Sequence, residues 1–179
     1  MSKAMTTPRP VAAPTTGTSA ESRQFLTFAA GGETLALGIL HVREIIEYGR
    51  VTAVPMLPAF VRGVINLRGS VVPVIDLAAR LGRAPGTIGR RSCIVIVELT
   101  ESDGERRELG LLVDAVSAVI DIPEIEPPPS FGARMRPDFI LGMGKLDDRF
   151  VVILDPTQTL SLDEMAELAG KLDAGVNGA

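Results

Sequence analysis

The side chains that most often carry out chemistry in proteins are scarce in this sequence. His41 is the only histidine and Cys93 the only cysteine, so one chain cannot assemble a zinc site of the usual His/Cys kind. Any Ser-His-Asp arrangement would have to use His41, and no Gly-x-Ser-x-Gly elbow is present. A small hydrolase or ligand-binding barrel therefore has little support, and it would require a pocket that contains His41.

Phosphate-binding motifs are missing, and the adjacent acids have a simpler explanation. The Gly-Lys pairs at 144–145 and 170–171 are each followed by leucine, so neither belongs to a loop that cradles nucleotide phosphates. Asp147 and Asp148 lie side by side in a polar segment, which is typical of a turn rather than of a catalytic pair. We therefore predict that the protein is not an enzyme and needs no cofactor or metal.

One stretch combines apolar runs with polar groups suited to binding a partner. Segment 63–76 has two apolar, β-branched runs on either side of residues 68–70, which predicts a β-hairpin with an exposed tight turn. Asn66 and Arg68 alternate with apolar neighbours, so one face of the first strand carries an amide and a guanidinium. Pro73 indicates a strand beside a sheet edge or a bulge. Arg68 alone is most simply interpreted as a solvated hairpin tip, although a sheet edge near a charged tip is also where partners dock.

Composition and charge limit the kinds of partner. The chain has 179 residues, 46% of them hydrophobic, which fits one domain or two small subdomains that share a core. Its formal charge of −4 gives no electrostatic reason to expect nucleic acid or an anionic membrane surface. No apolar run reaches the roughly 20 residues needed to cross a bilayer. We therefore expect no direct membrane contact, and the single cysteine fits the cytoplasm.

Short strands and glycine turns follow a proline-rich N-terminal segment. Residues 1–22 lack an apolar signal-peptide core and are predicted to be a disordered tail. Segments 24–29 and 33–38 flank Gly31-Gly32 and predict a hairpin. Val42, Ile45 and Ile46 fit one helical face as well as a strand, so periodicity alone does not decide segment 41–47.

An internal repeat favours a strand for this segment and suggests the architecture. Four residues recur at an offset of 79: Gly63, Leu67, Val72 and Asp76 correspond to Gly142, Leu146, Val151 and Asp155. Segment 110–120 likewise matches 38–46, and it is rich in β-branched residues, so we predict strands in both halves. We interpret residues 82–91 as the linker between the two halves. The five prolines within 123–137 predict an irregular segment. The repeat suggests two small β-barrels packed together.

We divide the chain into a tail at 1–22, a domain at 23–160, a C-terminal helix at 161–173 and a tail at 174–179. Ser161 begins a helix-start pattern with acids in the first turn. One face of the helix would carry the apolar residues Leu162, Met165, Leu168, Ala169 and Leu172. We expect that face to pack on a barrel.

The order and spacing of six motifs resemble the CheW family of bacterial chemotaxis. The motifs are Gln24-Phe-Leu-Thr-Phe, His41-Val-Arg-Glu-Ile, Asn66-Leu-Arg-Gly, Val72-Pro-Val-Ile-Asp-Leu, Gly110-Leu-Leu-Val-Asp and Leu141-Gly-Met-Gly. The resemblance covers 24–172 and implies an all-β fold of two five-stranded barrels around a shared core, with a C-terminal helix. It also implies a non-enzymatic adaptor that joins the cytoplasmic tips of chemoreceptors (methyl-accepting chemotaxis proteins) to the CheA histidine kinase.

The resemblance also implies binding residues. A charged pair, Glu44 with Arg68, matches positions near a receptor groove. The other residues implied at the receptor contact are apolar or thiol side chains: Val42, Ile45, Leu67, Cys93 and Val119. On the residues alone, Val42, Ile45, Cys93 and Val119 would be interpreted as core.

One loop departs from the family pattern. The family often has Ile-Arg-Pro-x-Pro-Glu-Phe, whereas this chain has Ile-Glu-Pro-Pro-Pro-Ser-Phe at 125–131, so Glu126 replaces the arginine and Ser130 the glutamate. In the family this loop helps to close rings of kinase and adaptor, and Phe131 is retained. The resemblance implies kinase binding through Glu126, Ser130 and Phe131. An adaptor for another receptor-kinase system, such as surface motility or a second chemosensory cluster, is the alternative.

Overall fold

The structure is a computed structural model that describes residues 24–101, 103–128 and 137–161. These ranges contain eleven strands and two short helices. The strands are β1 Gln24–Ala30, β2 Glu33–Gly38, β3 Val42–Glu47, β4 Val61–Leu67, β5 Ser70–Asp76, β6 Cys93–Thr100, β7 Arg106–Val113, β8 Ala115–Asp121, β9 Ile125–Glu126, β10 Ile140–Lys145 and β11 Phe150–Leu154. Helices α1 Leu77–Arg80 and α2 Pro156–Thr159 follow β5 and β11, and 3-10 turns occur at Ile39–His41 and Pro137–Phe139.

The strands form two sheets, each built from both halves of the chain. The five-stranded sheet has the order β3-β6-β7-β5-β4, and the six-stranded sheet has the order β8-β1-β2-β11-β10-β9. The junctions between hairpins of different halves, β5 with β7 and β11 with β2, are parallel, whereas neighbouring strands within a hairpin are antiparallel. The predicted all-β fold class is confirmed, with the sequence halves exchanged between the sheets.

Within the part of the chain that the structure describes, three apolar clusters stabilise this arrangement. The largest lies between the sheets and takes Phe28 and Leu35 from one sheet and Val95 and Leu109 from the other, all fully buried. A second cluster packs on the far side of the five-stranded sheet, and a third on the far side of the six-stranded sheet. Because each large apolar side chain contributes about 1.5–3 kcal/mol on full burial, the shared cluster holds the two sheets together.

A buried arginine links the two halves inside the shared core. The guanidinium carbon of Arg80 lies 4.9 Å from the ring centre of Phe60 and 4.7 Å from that of Phe139, and these phenylalanines are related by the offset of 79. Its Nε donates a hydrogen bond of 2.7 Å to the Thr159 carbonyl oxygen. The two aromatic faces and the carbonyl compensate for taking the cation out of water.

The predicted hairpins are confirmed, and the backbone conformation of their turns explains why glycine occurs there. Arg68 and Gly69 form the two-residue turn between β4 and β5 with φ of 52° and 88°, and Gly31 and Gly32 form the turn between β1 and β2 with φ of 63° and 81°. Positive φ at both central residues is the type I′ pattern, which matches the twist of paired strands. Asn66 Oδ1 accepts a hydrogen bond of 2.8 Å from Gly69 N.

A β-bulge explains why segment 41–47 also fitted a helix. Val42 pairs with Val97 and Glu44 with Ile96, so Arg43 is the extra residue in β3. Directly paired residues share a face of the sheet, and the bulge therefore puts Val42 and Ile45 on one face at a spacing of three. Strand β8 has the corresponding bulge, because Phe28 pairs with Val116 and Thr27 with Ala118.

The segment predicted to be irregular contains a short strand. In β9, Ile125 pairs with Gly144 and Glu126 with Met143 of β10, whereas residues 123, 124, 127 and 128 have no regular structure. The corresponding place in the other sheet is an isolated bridge between Thr52 and Val64. The predicted tails, the helix beyond Ser161 and the loop residues 129–136 lie outside the described residues.

Replacing Gly63 should be among the costly glycine substitutions. Gly63 has φ of 145°, and a Cβ there would lie well inside van der Waals contact with the backbone carbonyl group of Thr52. Because backbone must move to relieve this overlap, we expect Gly63→Ala to lower the free energy of unfolding by about 3 kcal/mol in urea denaturation. Gly89→Ala is the control, since a Cβ there meets nothing within 4 Å. Similar losses in both variants would contradict the proposed overlap.

Candidate partner-docking site

The predicted charged pair forms at the tip of the β4–β5 hairpin. Arg68 Nη2 lies 2.7 Å from Glu44 Oε2 and 2.8 Å from Oε1, so it donates to both carboxylate oxygens. The Arg68 side chain is 71% exposed and that of Glu44 is 29% exposed. The pair therefore presents a guanidinium to solvent while its carboxylate is partly covered.

The ion pair joins the two edges of the five-stranded sheet. Glu44 belongs to β3 and Arg68 adjoins β4, and these strands are the first and last of that sheet. Leu67 and Ile46 pack against the same apolar cluster beside the pair. The sheet therefore curls until its edges meet, which is the barrel closure that the repeat suggested.

The apolar residues predicted for the groove lie on the opposite face of β3. Val42 pairs with Val97 and Ile45 with Val95, and both partners belong to the cluster between the sheets. Glu44 pairs with Ile96 and therefore shares the other face with Ile46. Val42 and Ile45 therefore lie on one face of the edge strand β3, and Glu44 of the charged pair lies on the other.

Strand β8 carries the corresponding pair of apolar residues on the other sheet. Val119 pairs with Leu26 and Val116 with Phe28, and both partners lie in the shared cluster. Val119 is 50% exposed and Ile45 is 44% exposed, although both strands border the core. Two edge strands, one from each sheet, therefore present exposed apolar side chains.

Cys93 connects the two edge strands. It pairs with Glu47 of β3, and its thiol has a hydrogen bond with the backbone of Val116 of β8. Burial raises the pKa of the Cys93 thiol, and the hydrogen bond to the Val116 backbone offsets part of the increase. Val116 was not among the predicted site residues, although the match of segment 110–120 to 38–46 pairs it with Val42 and could have identified it.

The thiol of Cys93 should react slowly with alkylating reagents. Because its pKa lies above the ordinary 9.0, less thiolate is present near neutral pH, and the half-buried position hinders access. We expect carbamidomethylation at pH 7.5 to be at least about threefold slower than that of glutathione. The rate should continue to rise with pH beyond the point at which glutathione levels off. A rate equal to that of glutathione at every pH would contradict this environment.

The predicted kinase-contact residues are only partly described. Glu126 lies in β9 at the outer edge of the six-stranded sheet, and its side chain is exposed. Ser130 and Phe131 lie outside the described residues. Glu126 is therefore on a different sheet from the Arg68–Glu44 pair.

The described residues around His41 form no catalytic arrangement. His41 borders a cavity of about 180 Å³ whose other lining residues are glycine, proline or apolar side chains: Phe25, Gly38, Ile39, Leu40, Ile125, Leu141, Leu154 and Pro156. None of these supplies a nucleophile or a carboxylate to the imidazole. Among residues 24–101, 103–128 and 137–161, no three His, Cys, Asp or Glu side chains are grouped as metal ligands would be.

The structure defines the class as a two-sheet β protein with exposed apolar strand edges and a charged hairpin tip. Residues 24–164 match the family model described as a CheW-like domain. The chain belongs to the CheW family of chemotaxis adaptor proteins. No helix in the described ranges is long and apolar enough to cross a membrane.

Individual relatives agree with this assignment. The chemotaxis protein CheW of Klebsiella aerogenes is 32% identical over 146 residues, which cover 80% of this chain and 85% of the relative. Protein FrzA of Myxococcus xanthus is 32% identical over 73% of this chain and 81% of its own length. The crystal structure of the scaffolding protein TtCheW from Thermoanaerobacter tengcongensis superposes with a TM-score of 0.67 at 37% identity, covering 75% of this chain and 84% of that one.

Proposed function

We propose that this protein couples the cytoplasmic tips of chemoreceptors to a CheA-type histidine kinase as a non-enzymatic scaffold. The single observation that carries the proposal is the Arg68–Glu44 ion pair, which lies next to the exposed apolar edge of β3. In this proposal the protein acts in the cytoplasm and reaches the membrane only through receptor arrays. It uses no cofactor.

The receptor would bind across the edges of β3 and β8. A helical receptor tip has apolar side chains that fit between Ile45 and Val119, both of which are about half exposed. Val42 and Cys93 would form the floor, because both pack against the shared core. Such a contact buries roughly 800 Å² on each partner, and a few anchors carry most of its free energy.

The Arg68–Glu44 pair would provide orientation at one end of this contact, with Leu67 beside it. A receptor that covers the pair strengthens its electrostatic attraction, because water no longer screens the charges. This difference between the exposed and the covered pair makes Arg68 a useful residue for testing the proposal.

The kinase would bind a second surface around Glu126, Ser130 and Phe131. The exposed position of Glu126 on β9 supports this, because β9 is the last strand of the six-stranded sheet among the described residues, and a partner can pair with such an edge. A coupling protein needs two docking surfaces on one rigid body, and the shared core supplies that rigidity.

Titration of the purified protein into kinase and receptor fragments tests the proposal directly. We expect kinase activity to change only when receptor, kinase and this protein are all present, and to saturate with its concentration. When Arg68→Glu is titrated in the same assay, Arg107→Glu serves as its matched control, because Arg107 forms an exposed ion pair with Glu105 at 3.0 Å elsewhere on the five-stranded sheet. Unchanged kinase activity with the wild-type protein would overturn the proposal.

The similarity to FrzA favours one alternative, an adaptor for a different receptor-kinase system. The same two surfaces would then bind other receptors and another kinase. Affinity capture with this protein from its native cell, followed by identification of the bound receptors, distinguishes the two. Recovery of receptors from a different chemosensory or motility cluster would support the alternative.

A further inference from the structure

The described chain passes from one sheet to the other at two crossovers. The first, at the 3-10 turn Ile39–His41, leads from β2 to β3, and the second, at Asp114, leads from β7 to β8. Each crossover leads directly into a strand at the end of its sheet. Because β3 carries Val42 and Ile45 and β8 carries Val119, the way in which the crossovers are held sets where these side chains lie.

Asp114 attaches the second crossover to the β1–β2 turn. Its Oδ2 accepts a hydrogen bond of 3.1 Å from Gly31 N, and its own backbone N donates one of 2.8 Å to the Ala29 carbonyl oxygen. A hydrogen bond to a carboxylate is stronger than one between neutral groups. The start of β8 is therefore fixed to the turn by both the side chain and the backbone of one residue.

The same turn is attached to the five-stranded sheet on its other side. Arg83, three residues after α1, forms an ion pair with Glu33, the first residue of β2. A Cβ on Gly31 would lie 3.2 Å from Arg83 Cγ and 3.4 Å from Ala78 Cβ, so the turn packs on α1 and the segment after it. We call the four residues Gly31, Glu33, Arg83 and Asp114 the crossover clamp.

The first crossover has no carboxylate at the corresponding position. Gly110 of β7 and Ala36 of β2 occupy equivalent places in the parallel pairings with β5 and β11, which relates these strands by an offset of 74 residues. The same offset relates Asp114 to Leu40. Leucine has no oxygen that could accept from a turn amide. The repeated fold therefore does not itself require Asp114.

We propose that the crossover clamp fixes the spacing between β3 and β8, which makes Asp114 and Arg83 positioning residues for the receptor contact across these strands. The hydrogen bond of Cys93 with the Val116 backbone already attaches β8 to the five-stranded sheet two residues further on. The clamp attaches the same end of β8 to the β1–β2 turn and, through Arg83, to the segment after α1.

The receptor part of this inference rests on the proposed function, although neither Asp114 nor Arg83 is placed in the contact. A docking surface needs its side chains held to within about 0.5 Å of the productive geometry. Loss of the clamp therefore weakens binding without removing any side chain that the receptor touches.

Distances between spin labels, measured by pulsed electron paramagnetic resonance, test the clamp without any partner. In the full-length chain with Cys93→Ser, the labels are placed at Arg43→Cys and Ser117→Cys, the exposed extra residues of the bulges in β3 and β8. Asp114→Leu should shift the mean distance by at least about 2 Å, a typical displacement of packed elements. Asp114→Asn keeps an oxygen that accepts from Gly31 N and should leave the distance unchanged.

A label pair within one sheet controls for local distortion. Labels at Arg43→Cys and Arg107→Cys both lie on the five-stranded sheet, and their distance should be the same in every variant. An unchanged distance between the sheets in Asp114→Leu, or an equal shift within the one sheet, would overturn the proposal.

A second variant covers the case in which Asp114→Leu does not fold, although a cavity of about 410 Å³ beside Asp114 leaves room for leucine. Arg83→Met removes the ion pair with Glu33 and leaves β8 itself intact. Circular dichroism establishes that the variant is folded, and the same shift between the sheets is expected. Its absence would overturn the proposal.

Receptor-fragment binding tests the positioning role. Unlabelled Asp114→Leu should bind at least about tenfold more weakly than the wild type, within the usual range of coupling between separate sites, and Asp114→Asn should restore binding. A shifted label distance with unaltered binding would overturn the positioning role. If the wild-type protein binds no receptor fragment, the proposed function fails, and the label distances alone decide whether the clamp fixes the spacing.

Discussion

Reversing the charge of Arg68 is expected to weaken receptor-fragment binding by about 2–5 kcal/mol, which is roughly thirtyfold to several thousandfold. When the receptor covers this site in the Arg68→Glu variant, Glu44 is removed from water without a positive partner. The glutamate at position 68 also repels it. Glu44→Arg should cost a similar amount. The double variant restores an opposite-charge pair and should regain part of the lost affinity, which a double-mutant cycle with isothermal titration calorimetry measures.

Two controls separate binding from folding. Arg68→Ala should change the free energy of unfolding by no more than about 1 kcal/mol, because the pair is exposed in the free protein. Arg68→Gly removes the guanidinium and also relieves the left-handed backbone at φ of 52°, so its melting temperature should not fall. Strong unfolding in Arg68→Ala would show that Arg68 serves the fold and would contradict a binding role. Strictly additive binding losses in the double swap would remove the case for a functional pair.

Removing the Asp76 carboxylate is expected to be the most destabilising change, at about 3–5 kcal/mol. Asp76 is 1% exposed, and its Oδ2 lies 3.1 Å from Arg62 Nη2 and accepts from Gly86 N at 2.9 Å. Its Oδ1 caps α1 by accepting from Ala79 N at 3.2 Å. Asp76→Ala leaves the arginine and the amide groups without the carboxylate that neutralises and binds them. Urea denaturation measures the loss.

The internal repeat provides the matched control for Asp76. Asp155 Oδ1 caps α2 by accepting from Thr157 N at 3.0 Å, but among the described residues no arginine forms an ion pair with it. Asp155→Ala should therefore cost only about 1 kcal/mol, the value of an N-cap. Equal losses at the two positions would show that capping, and not the buried ion pair, is the main contribution of Asp76.

Local features of the fold could be predicted from the sequence, because neighbouring residues determine them. The apolar runs around Arg68 and Gly69 predicted the β4–β5 hairpin, and the repeat identified Asp76 and Asp155, which cap α1 and α2, as equivalent residues. Alternation placed Asn66 and Arg68 on an exposed face, since side chains in a strand alternate with a period of two. The resemblance of motifs singled out Glu44 and Arg68 together, whereas each charge alone would be interpreted as an ordinary solvated side chain.

Periodicity was insufficient where a strand departs from regular geometry. The spacing of Val42 and Ile45 fitted a helix, and the bulge at Arg43 became visible only when β3 was paired with β6. The short strand β9 lies in a proline-rich segment that predicted irregular backbone. It forms because one side of β10 is available for pairing, and Glu126 pairs there with Met143.

The tertiary structure decided which distant residues meet. The sequence by itself determined strands, turns, caps and the presence of two similar halves, because these depend on contacts within a few residues. It did not determine that the halves exchange hairpins between sheets, that Arg80 lies between Phe60 and Phe139, or that Gly63 touches the Thr52 backbone. A pattern of period two specifies which face of a strand is buried but not the neighbouring strand, and that choice depends on packing of the shared core.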